Sequence, residues 1–94
     1  MTQTYYCYIL KCSDGSYYVG SASNLEDRLN RHNQGRGPTY TAKRRPVQLV
    51  YHERLESLDS AAKRERQLKR WSRAKKEALI SGDLESLKKL SKSR

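Results

Sequence analysis

The sequence predicts an α+β fold, a three-stranded antiparallel β-sheet flanked by α-helices. Residues 5–11 and 16–21 are rich in tyrosine, valine and isoleucine, and the Asp14-Gly15 pair between them is typical of a β-hairpin. A third apolar segment, residues 47–51, predicts the remaining strand. Because the chain has 94 residues, two prolines and 35% hydrophobic residues, we expect one small domain with a modest core.

The predicted hairpin brings two tyrosines to one face of the sheet. If residues 13–15 form a three-residue loop, Leu10 lies opposite Tyr18 and Tyr8 lies opposite Gly20. Tyr8 and Tyr18 are then diagonal neighbours on the same face. A slip of one residue would separate them, since successive side chains alternate between faces.

The first helix is predicted to begin at Ser23-Asn24-Leu25-Glu26, which has the form of a capping box with Ser23 as the cap. We expect it to end near Gly35. Arg28 and His32 follow Leu25 by three and seven residues, so both share or flank the apolar stripe of this helix. The two polar side chains are therefore expected to point toward the sheet or its rim.

A glycine-rich segment, residues 34–38, predicts a flexible loop that leads to Tyr40. A second helix is expected from about residue 58 to residue 70, capped by Ser57, with Glu65 on its least charged face. That face also carries Leu58, Ala61, Ala62 and Leu68.

Two further helices are expected at the C-terminal end of the chain. One covers residues 73–80 and is stopped by Gly82, and the other covers residues 83–90 and is capped by Asp83. We therefore divide the chain into a main domain, residues 1–82, and a short basic C-terminal helix and tail, residues 83–94.

The formal charge of +10 is concentrated in the C-terminal third, where residues 61–94 hold twelve Lys and Arg against four Asp and Glu. Such a run often forms a solvated helix face, but this imbalance favours an anionic partner, namely nucleic acid. Phosphate contacts predict salt-sensitive binding with little sequence specificity. The candidate contacts are Lys43, Arg44, Arg45, Arg66, Lys69, Arg70, Arg73, Lys75 and Lys76.

Two cysteines, Cys7 and Cys12, lie close together in the first strand region, which suits packing in a reducing cytosol better than a disulfide framework. With His32 and His52 they match no zinc-knuckle spacing. The apolar run at residues 5–10 is too short for a signal peptide, and no stretch is long enough to span a membrane. We expect a cytoplasmic protein without a membrane partner.

A carboxylate on the inward stripe of a helix needs a partner, because burying it unpaired is costly. For Glu65 the partner is either an ion pair, with Arg28, Arg64 or Lys69, or a metal ion. One carboxylate, one arginine, one histidine and two phenols together predict a single-metal hydrolytic site. These residues are Glu65, Arg28, His32, Tyr8 and Tyr18.

The tripeptides Tyr6-Cys7-Tyr8 and Tyr18-Val19-Gly20, followed by helices carrying Arg28 and Glu65, resemble the GIY-YIG nuclease domain. The resemblance covers roughly residues 4–80 and is greatest to the small single-domain branch of uncharacterised proteins. The sequence departs from the family where Tyr6 and Cys7 replace the name-giving Gly and Ile. It also lacks a counterpart of the asparagine that some relatives carry late in the domain.

The resemblance implies a metal-dependent endonuclease and a role for each matched residue. Glu65 would bind Mg²⁺ or Mn²⁺, and Arg28 would hold the scissile phosphate. Tyr8 would be the base that activates water, and Tyr18 would orient water or phosphate. His32 would act as a proton relay or an alternative base.

The chain is too short for a separate recognition module, so we expect structure-selective or weakly sequence-specific cleavage of DNA, in repair or processing. A homodimer or a protein partner is compatible with this function. Two alternatives remain open: a non-catalytic nucleic-acid-binding module, and an accessory subunit of a larger nuclease. Binding that survives a chelator and Glu65→Ala would indicate the binding module, and detectable activity of the isolated chain would count against the accessory subunit.

Overall fold

A computed structural model describes residues 3–92, which form one three-stranded sheet with helices on both faces. The strands are β1 (Tyr5–Lys11), β2 (Tyr17–Ala22) and β3 (Gln48–Leu55), arranged in the antiparallel order β2-β1-β3. The predicted α+β class is therefore confirmed. The helices are α1 (Leu25–Asn33), α2 (Thr39–Ala42), α3 (Leu58–Lys69), α4 (Arg73–Ser81) and α5 (Leu84–Lys92).

The hairpin between β1 and β2 has the predicted register. Leu10 pairs with Tyr18 and Tyr8 pairs with Gly20. Gly15 adopts a φ of +84°, which glycine reaches without the steric penalty of a side chain, and the Cys12 N–H donates to the Ser16 carbonyl at 2.8 Å. The loop chemistry therefore sets which side chains share a face of the sheet.

The first helix begins one residue later than a Ser23 cap would require. Asn24 is the cap, because its side-chain oxygen accepts a hydrogen bond of 2.9 Å from the Asp27 N–H. The cap prediction was therefore wrong, although the predicted end is confirmed by Gly35, whose φ is +77°. The short helix α2 was not predicted, since four residues are too few to show a helical period.

The third strand is longer than the predicted residues 47–51 and extends to Leu55. Its polar end is held by pairing with β1, where Glu53 lies opposite Cys7. Arg64 of α3 then donates to Glu53 at 2.9 Å. Pairing and this ion pair thus maintain a strand that hydrophobic patterning does not reveal.

Side chains of β1 alternate between two cores, one on each face of the sheet. Tyr8 and Leu10 belong to the core that α1 covers with Leu25 and Leu29. The other core contains Cys7, Ile9 and Val19 with Leu68 of α3. The sheet therefore separates α1 from α3.

The buried face of α3 is defined by Ala61 and Leu68, both fully buried. Leu58 was predicted to belong to this face, but it is 63% exposed. That prediction was wrong for Leu58, which lies in the first turn of the helix, three residues before Ala61. Ser57 caps the helix as predicted, accepting a hydrogen bond from the Ser60 N–H.

The C-terminal helices follow their predicted caps. Gly82 ends α4 with a φ of +75°, and the Asp83 side chain accepts a hydrogen bond of 3.1 Å from the Ser86 N–H. The helix α5 packs against α4, and the last two residues of the predicted 83–94 segment lie outside the described residues. Among the described helices, none has the length and apolarity needed to cross a membrane.

Candidate active site

The five residues predicted to form a hydrolytic site meet around the edge strand β2. Tyr8 and Tyr18 project from the sheet face covered by α1, which supplies Arg28 and His32. Glu65 reaches the same edge from α3 on the opposite face. The hairpin register and the two helices therefore assemble the site from three separate parts of the chain.

The Tyr8 phenol is buried against the backbone of Gly20. A Cβ atom at position 20 would lie only 2.5 Å from the Tyr8 Oη and 2.6 Å from its Cζ. These separations are far below van der Waals contact, so no side chain fits between the ring and β2. Gly20 is therefore required for the position of the Tyr8 phenol.

Hydrogen bonds around His32 determine which ring nitrogen carries the proton. The Thr41 hydroxyl lies 3.1 Å from the Pro38 carbonyl and, when it donates there, its oxygen accepts the 2.8 Å hydrogen bond from the His32 Nδ1–H; we assign this tautomer. The Nε2 of the neutral ring is then an acceptor. It receives a hydrogen bond of 3.1 Å from the Tyr8 hydroxyl.

The loop between α1 and α2 covers this network with bare backbone. A Cβ atom at Gly37 would lie 2.7 Å from the His32 Nδ1 and 3.0 Å from the Thr41 Oγ1. Glycine is therefore needed at this position for close approach rather than for an unusual φ. The loop predicted to be flexible thus buries the His32 ring, which is 1% exposed.

Ser21 links Arg28 to Glu65 at the edge of β2. Its hydroxyl donates to the Glu65 Oε1 at 2.6 Å, and its carbonyl accepts a hydrogen bond of 3.2 Å from the Arg28 Nη1. Sequence reasoning missed Ser21, since a serine at a strand end has many uses. The only available signal was its position next to Gly20 in the second tripeptide.

The Glu65 carboxylate lies at the rim of the fold, with 23% of the side chain exposed. Its Oε2 pairs with the Lys69 Nζ at 2.8 Å, one turn along α3. Of the ion-pair partners considered for Glu65, the structure therefore shows Lys69, whereas Arg64 pairs with Glu53. Burial favours the protonated acid, but the hydrogen bonds from Lys69 and Ser21 outweigh it and hold the pKa of Glu65 below its usual value.

Burial keeps both members of the Tyr8–His32 pair uncharged at neutral pH. It raises the pKa of Tyr8 to about 12, although the Arg28 guanidinium opposes this shift. It also lowers the pKa of His32, and the positive charge of Arg28 adds to that effect. A neutral phenol therefore donates to a neutral imidazole that is free to accept a proton.

The donors near Glu65 are compatible with a hard divalent cation. A carboxylate and the Ser21 hydroxyl supply only oxygen, and Mg²⁺ in proteins commonly uses one or two carboxylates while keeping several waters. No group of three or more His, Cys, Asp or Glu suited to a metal occurs within residues 3–92. Cys7 and Cys12 belong to cores on opposite faces, so they cannot share an ion.

Two open clefts flank the site. The first, which we call the arginine cleft, has a volume of about 190 Å³ and is lined by Arg28, Arg31, Arg36, Gly37 and Pro38. The second, the tyrosine–lysine cleft, has a volume of about 270 Å³ and is lined by Tyr17, Tyr18, Val19, Tyr40, Lys69 and Lys76. Sequence reasoning missed Arg31 and Arg36, because they belong neither to the C-terminal concentration of charge nor to the basic triplet at residues 43–45.

The other predicted nucleic-acid contacts divide into two groups. Arg66 and Arg70 line a third cleft of about 350 Å³ together with Trp71, and Lys43 is exposed. The remaining four make contacts within the fold. Arg44 pairs with Asp14 and covers the Tyr40 ring, Arg45 donates to the Asn33 and Ala42 carbonyls, Arg73 covers Tyr17, and Lys75 approaches Trp71.

The chain is similar to known proteins of one family. The family model of the GIY-YIG catalytic domain matches residues 4–78. A UPF0213 protein of Staphylococcus saprophyticus is 52% identical over 77 residues, which cover 82% of this chain and 94% of that protein. A UPF0213 protein of Staphylococcus aureus strain Mu3 is 48% identical with the same coverage.

Two solution NMR structures have the same fold. A UPF0213 protein from Bacillus halodurans is 40% identical, covers 83% of each chain and has a TM-score of 0.54. A protein from E. faecalis is also 40% identical, covers 87% of this chain and 90% of that chain, and has a TM-score of 0.59. With the family model matching most of its length, the chain belongs to the GIY-YIG family.

Proposed function

We propose that this protein is a metal-dependent endonuclease that hydrolyses phosphodiester bonds of DNA with little sequence specificity. One observation carries the proposal: the buried Tyr8 hydroxyl donates to the free nitrogen of a neutral His32, beside Arg28 and Glu65. A hydroxyl aimed at a proton acceptor, next to an arginine, suits activation of water for attack on phosphorus.

In this proposal Tyr8 transfers a proton rather than acting as a preformed phenolate. With a pKa of about 12 the phenol is protonated at neutral pH. As the attacking water gives a proton to the Tyr8 oxygen, the original Tyr8 proton passes to the His32 Nε2 along the existing hydrogen bond. Water becomes hydroxide as it attacks, and His32 becomes the imidazolium.

Arg28 is the group suited to hold the scissile phosphate. Its guanidinium is anchored to the Ser21 carbonyl by Nη1, which leaves other N–H donors for two phosphate oxygens. Negative charge grows on these oxygens as water attacks, so the arginine stabilises the transition state more than the bound substrate. Loss of one such donor typically lowers the rate about 10²–10³-fold.

The proposal assigns the metal to Glu65, with Mg²⁺ or Mn²⁺ as the ion. Bound there, a divalent ion would neutralise charge on the leaving oxygen of the phosphodiester. Lys69 must release the Glu65 Oε2 for that oxygen to become a ligand. Ser21 keeps its hydrogen bond to Oε1 and orients the carboxylate.

The choice of nucleic acid as the substrate rests on charge. The formal charge of +10 and the three basic clefts favour a polyanion, and contacts to backbone phosphates carry no sequence information. We therefore propose cleavage selected by DNA structure, in repair or processing in the cytoplasm. A homodimer or a protein partner would extend the contact surface.

The test is cleavage of labelled branched, flapped and linear duplex DNA at low salt, with Mg²⁺, Mn²⁺ or chelator. Cuts that need the metal, and that disappear with Glu65→Gln but persist with the matched exposed variant Glu56→Gln, support the nuclease. The change to glutamine keeps an acceptor for Ser21, so the fold is preserved while the charge is lost. Identical activity of the two variants contradicts the proposal.

A second candidate function is a binding module without turnover. It is favoured by the Lys69–Glu65 ion pair, which supplies a positive charge where an ion would otherwise sit. In that case the protein binds DNA in a salt-sensitive manner, no substrate is cut with either metal, and Glu65→Gln binds as tightly as the wild type.

A further inference from the structure

We propose that the arginine cleft binds a second backbone phosphate, adjacent to the one held by Arg28. This inference rests on the proposed function, because it assigns a path to the DNA strand on one side of the site. The cleft shares Arg28 with the site and adds Arg31 and Arg36, neither of which has been given a role above.

Arg31 and Arg36 have unused donors, in contrast to the arginines of the fold that are paired with carboxylates. Arg44, Arg64 and Arg73 are tied to carboxylates at 2.9–3.4 Å. Within residues 3–92, the guanidinium groups of Arg31 and Arg36 have no hydrogen bond, ion pair or ring contact. Their positive charge is therefore available to an external anion.

The lining of the cleft selects phosphate chemistry. Three guanidinium groups and no carboxylate line a volume of about 190 Å³, which is smaller than the roughly 300–1,000 Å³ typical of sites for larger organic ligands. Arginine offers paired N–H donors that match phosphate oxygens. A single phosphate group fits this combination of size and charge.

The position of the cleft makes a backbone phosphate a better occupant than a free one. Gly37 forms part of the wall, and its missing Cβ would lie 2.7 Å from the His32 Nδ1. The cleft is therefore separated from the Tyr8–His32 pair by one layer of backbone. A strand whose phosphate rests on Arg28 passes directly into the cleft, so the next phosphate meets Arg31 and Arg36.

The test measures DNA binding as a function of salt in a Glu65→Ala background, where no cutting disturbs the equilibrium. Removing both guanidinium groups in Arg31→Ala/Arg36→Ala should weaken binding about tenfold or more at low salt. It should also reduce the slope of log K against log salt by about 0.9, the value for one lost phosphate contact on duplex DNA.

Two further variants make the test specific. Lys11→Ala/Lys88→Ala removes the same charge from exposed positions outside the clefts, and should leave the slope nearly unchanged. Arg31→Lys/Arg36→Lys keeps the charge but not the planar fork, so it should restore the slope and only part of the affinity. All four exposed positions allow a folded protein, checked by circular dichroism and thermal unfolding.

If Arg31→Ala/Arg36→Ala and Lys11→Ala/Lys88→Ala lose equal DNA affinity and equal salt slope, the proposal is overturned, because the cleft then contributes only net charge. If inorganic phosphate competes with DNA for the wild type and not for Arg31→Ala/Arg36→Ala, the cleft takes a phosphate group. Competition that is equal for both proteins counts against it.

The binding test and the nuclease test fail independently. If the wild type cuts no substrate, but Arg31→Ala/Arg36→Ala shows the expected reduction in the slope of log K against log salt, the nuclease proposal is refuted. The proposal that the arginine cleft binds a phosphate is then supported. If the wild type cuts DNA, but Arg31→Ala/Arg36→Ala binds and cuts like Lys11→Ala/Lys88→Ala, only the proposal that the arginine cleft binds a phosphate is refuted.

Discussion

Replacing Thr41 with valine should lower the rate of DNA cleavage by reversing the hydrogen bond between Tyr8 and His32. Valine fills the same buried space but cannot accept the His32 Nδ1–H. The ring then gains by moving its proton to Nε2, where the Tyr8 oxygen can accept it. In that tautomer His32 has no free nitrogen facing Tyr8, so the phenol cannot pass on its proton.

The size of the effect follows from the cost of restoring the productive tautomer. In the valine variant this tautomer leaves the buried Nδ1–H without a partner, which costs at most about 1–3 kcal/mol relative to the Nε2–H tautomer, whose bare Nδ1 is also unpaired. The rate constant should therefore fall by up to about 150-fold. Substrate affinity should change little, because Thr41 is fully buried and Arg28 is untouched.

The assay combines single-turnover cleavage with nitrogen NMR of the His32 ring, which distinguishes the two tautomers directly. His52 is the other histidine of the chain, so a His52→Gln background leaves one ring to observe. The matched control is Thr41→Ser, which keeps the hydroxyl and loses only a methyl group. We expect it to retain the Nδ1–H tautomer and most of the rate.

Two results would refute this reasoning. One is a valine variant that keeps both the Nδ1–H tautomer and the wild-type rate. The other is a serine variant that loses as much activity as valine while its tautomer is unchanged, since Thr41 would then act through packing alone. If both variants lose DNA affinity to the same extent, Thr41 likewise acts by maintaining the fold and not by positioning His32.

Three further predictions concern single side chains of the site. Gly20→Ala should displace the Tyr8 ring, lowering the cleavage rate about 10²-fold and stability by about 1–3 kcal/mol, measured by single-turnover kinetics and urea unfolding. Lys69→Gln should lower the Mg²⁺ concentration needed for half-maximal cleavage, because it frees the Glu65 Oε2; an unchanged metal titration would contradict this. Burial lowers the pKa of His32, so as the pH falls the unfolded chain binds the extra proton before the folded protein does. The free energy of unfolding should therefore decrease as the pH is lowered below about 6.5. His32→Gln should reduce this decrease, which is measured by unfolding at several pH values.

The hairpin shows how local chemistry predicts part of the site. A three-residue loop with glycine at its third position sets the pairing of Tyr8 with Gly20, and the period of two then places Tyr18 on the same face. These facts involve residues near one another in sequence. No knowledge of the helices was needed to place the two phenols together.

The partners of His32 and Glu65 could not be predicted in the same way. Thr41 meets His32 because a loop folds back over α1 and a four-residue helix turns the hydroxyl inward. Ser21 meets Glu65 because α3 lies beside an edge strand. Both contacts depend on how separate elements pack, and no sequence pattern around Ser21 or Thr41 predicts them.

The polar end of β3 illustrates a different limit. Residues 52–55 include a histidine, a glutamate and an arginine, so hydrophobic patterning ends the strand too early. Their strand conformation comes from pairing with β1 and from the Glu53–Arg64 ion pair, both of which join distant parts of the chain. Tertiary contacts here override a weak local preference.

Two glycines explain why the Tyr8–His32 pair is dry and uncharged. Gly20 lets the strand backbone press on the phenol, and Gly37 lets the loop cover His32 and Thr41, so water has little access to either ring. Burial raises the pKa of Tyr8 to about 12 and lowers that of His32. A phenolate–imidazolium pair is thus unfavourable at rest, so in the proposed mechanism proton transfer would await a phosphate at Arg28 and a cation at Glu65.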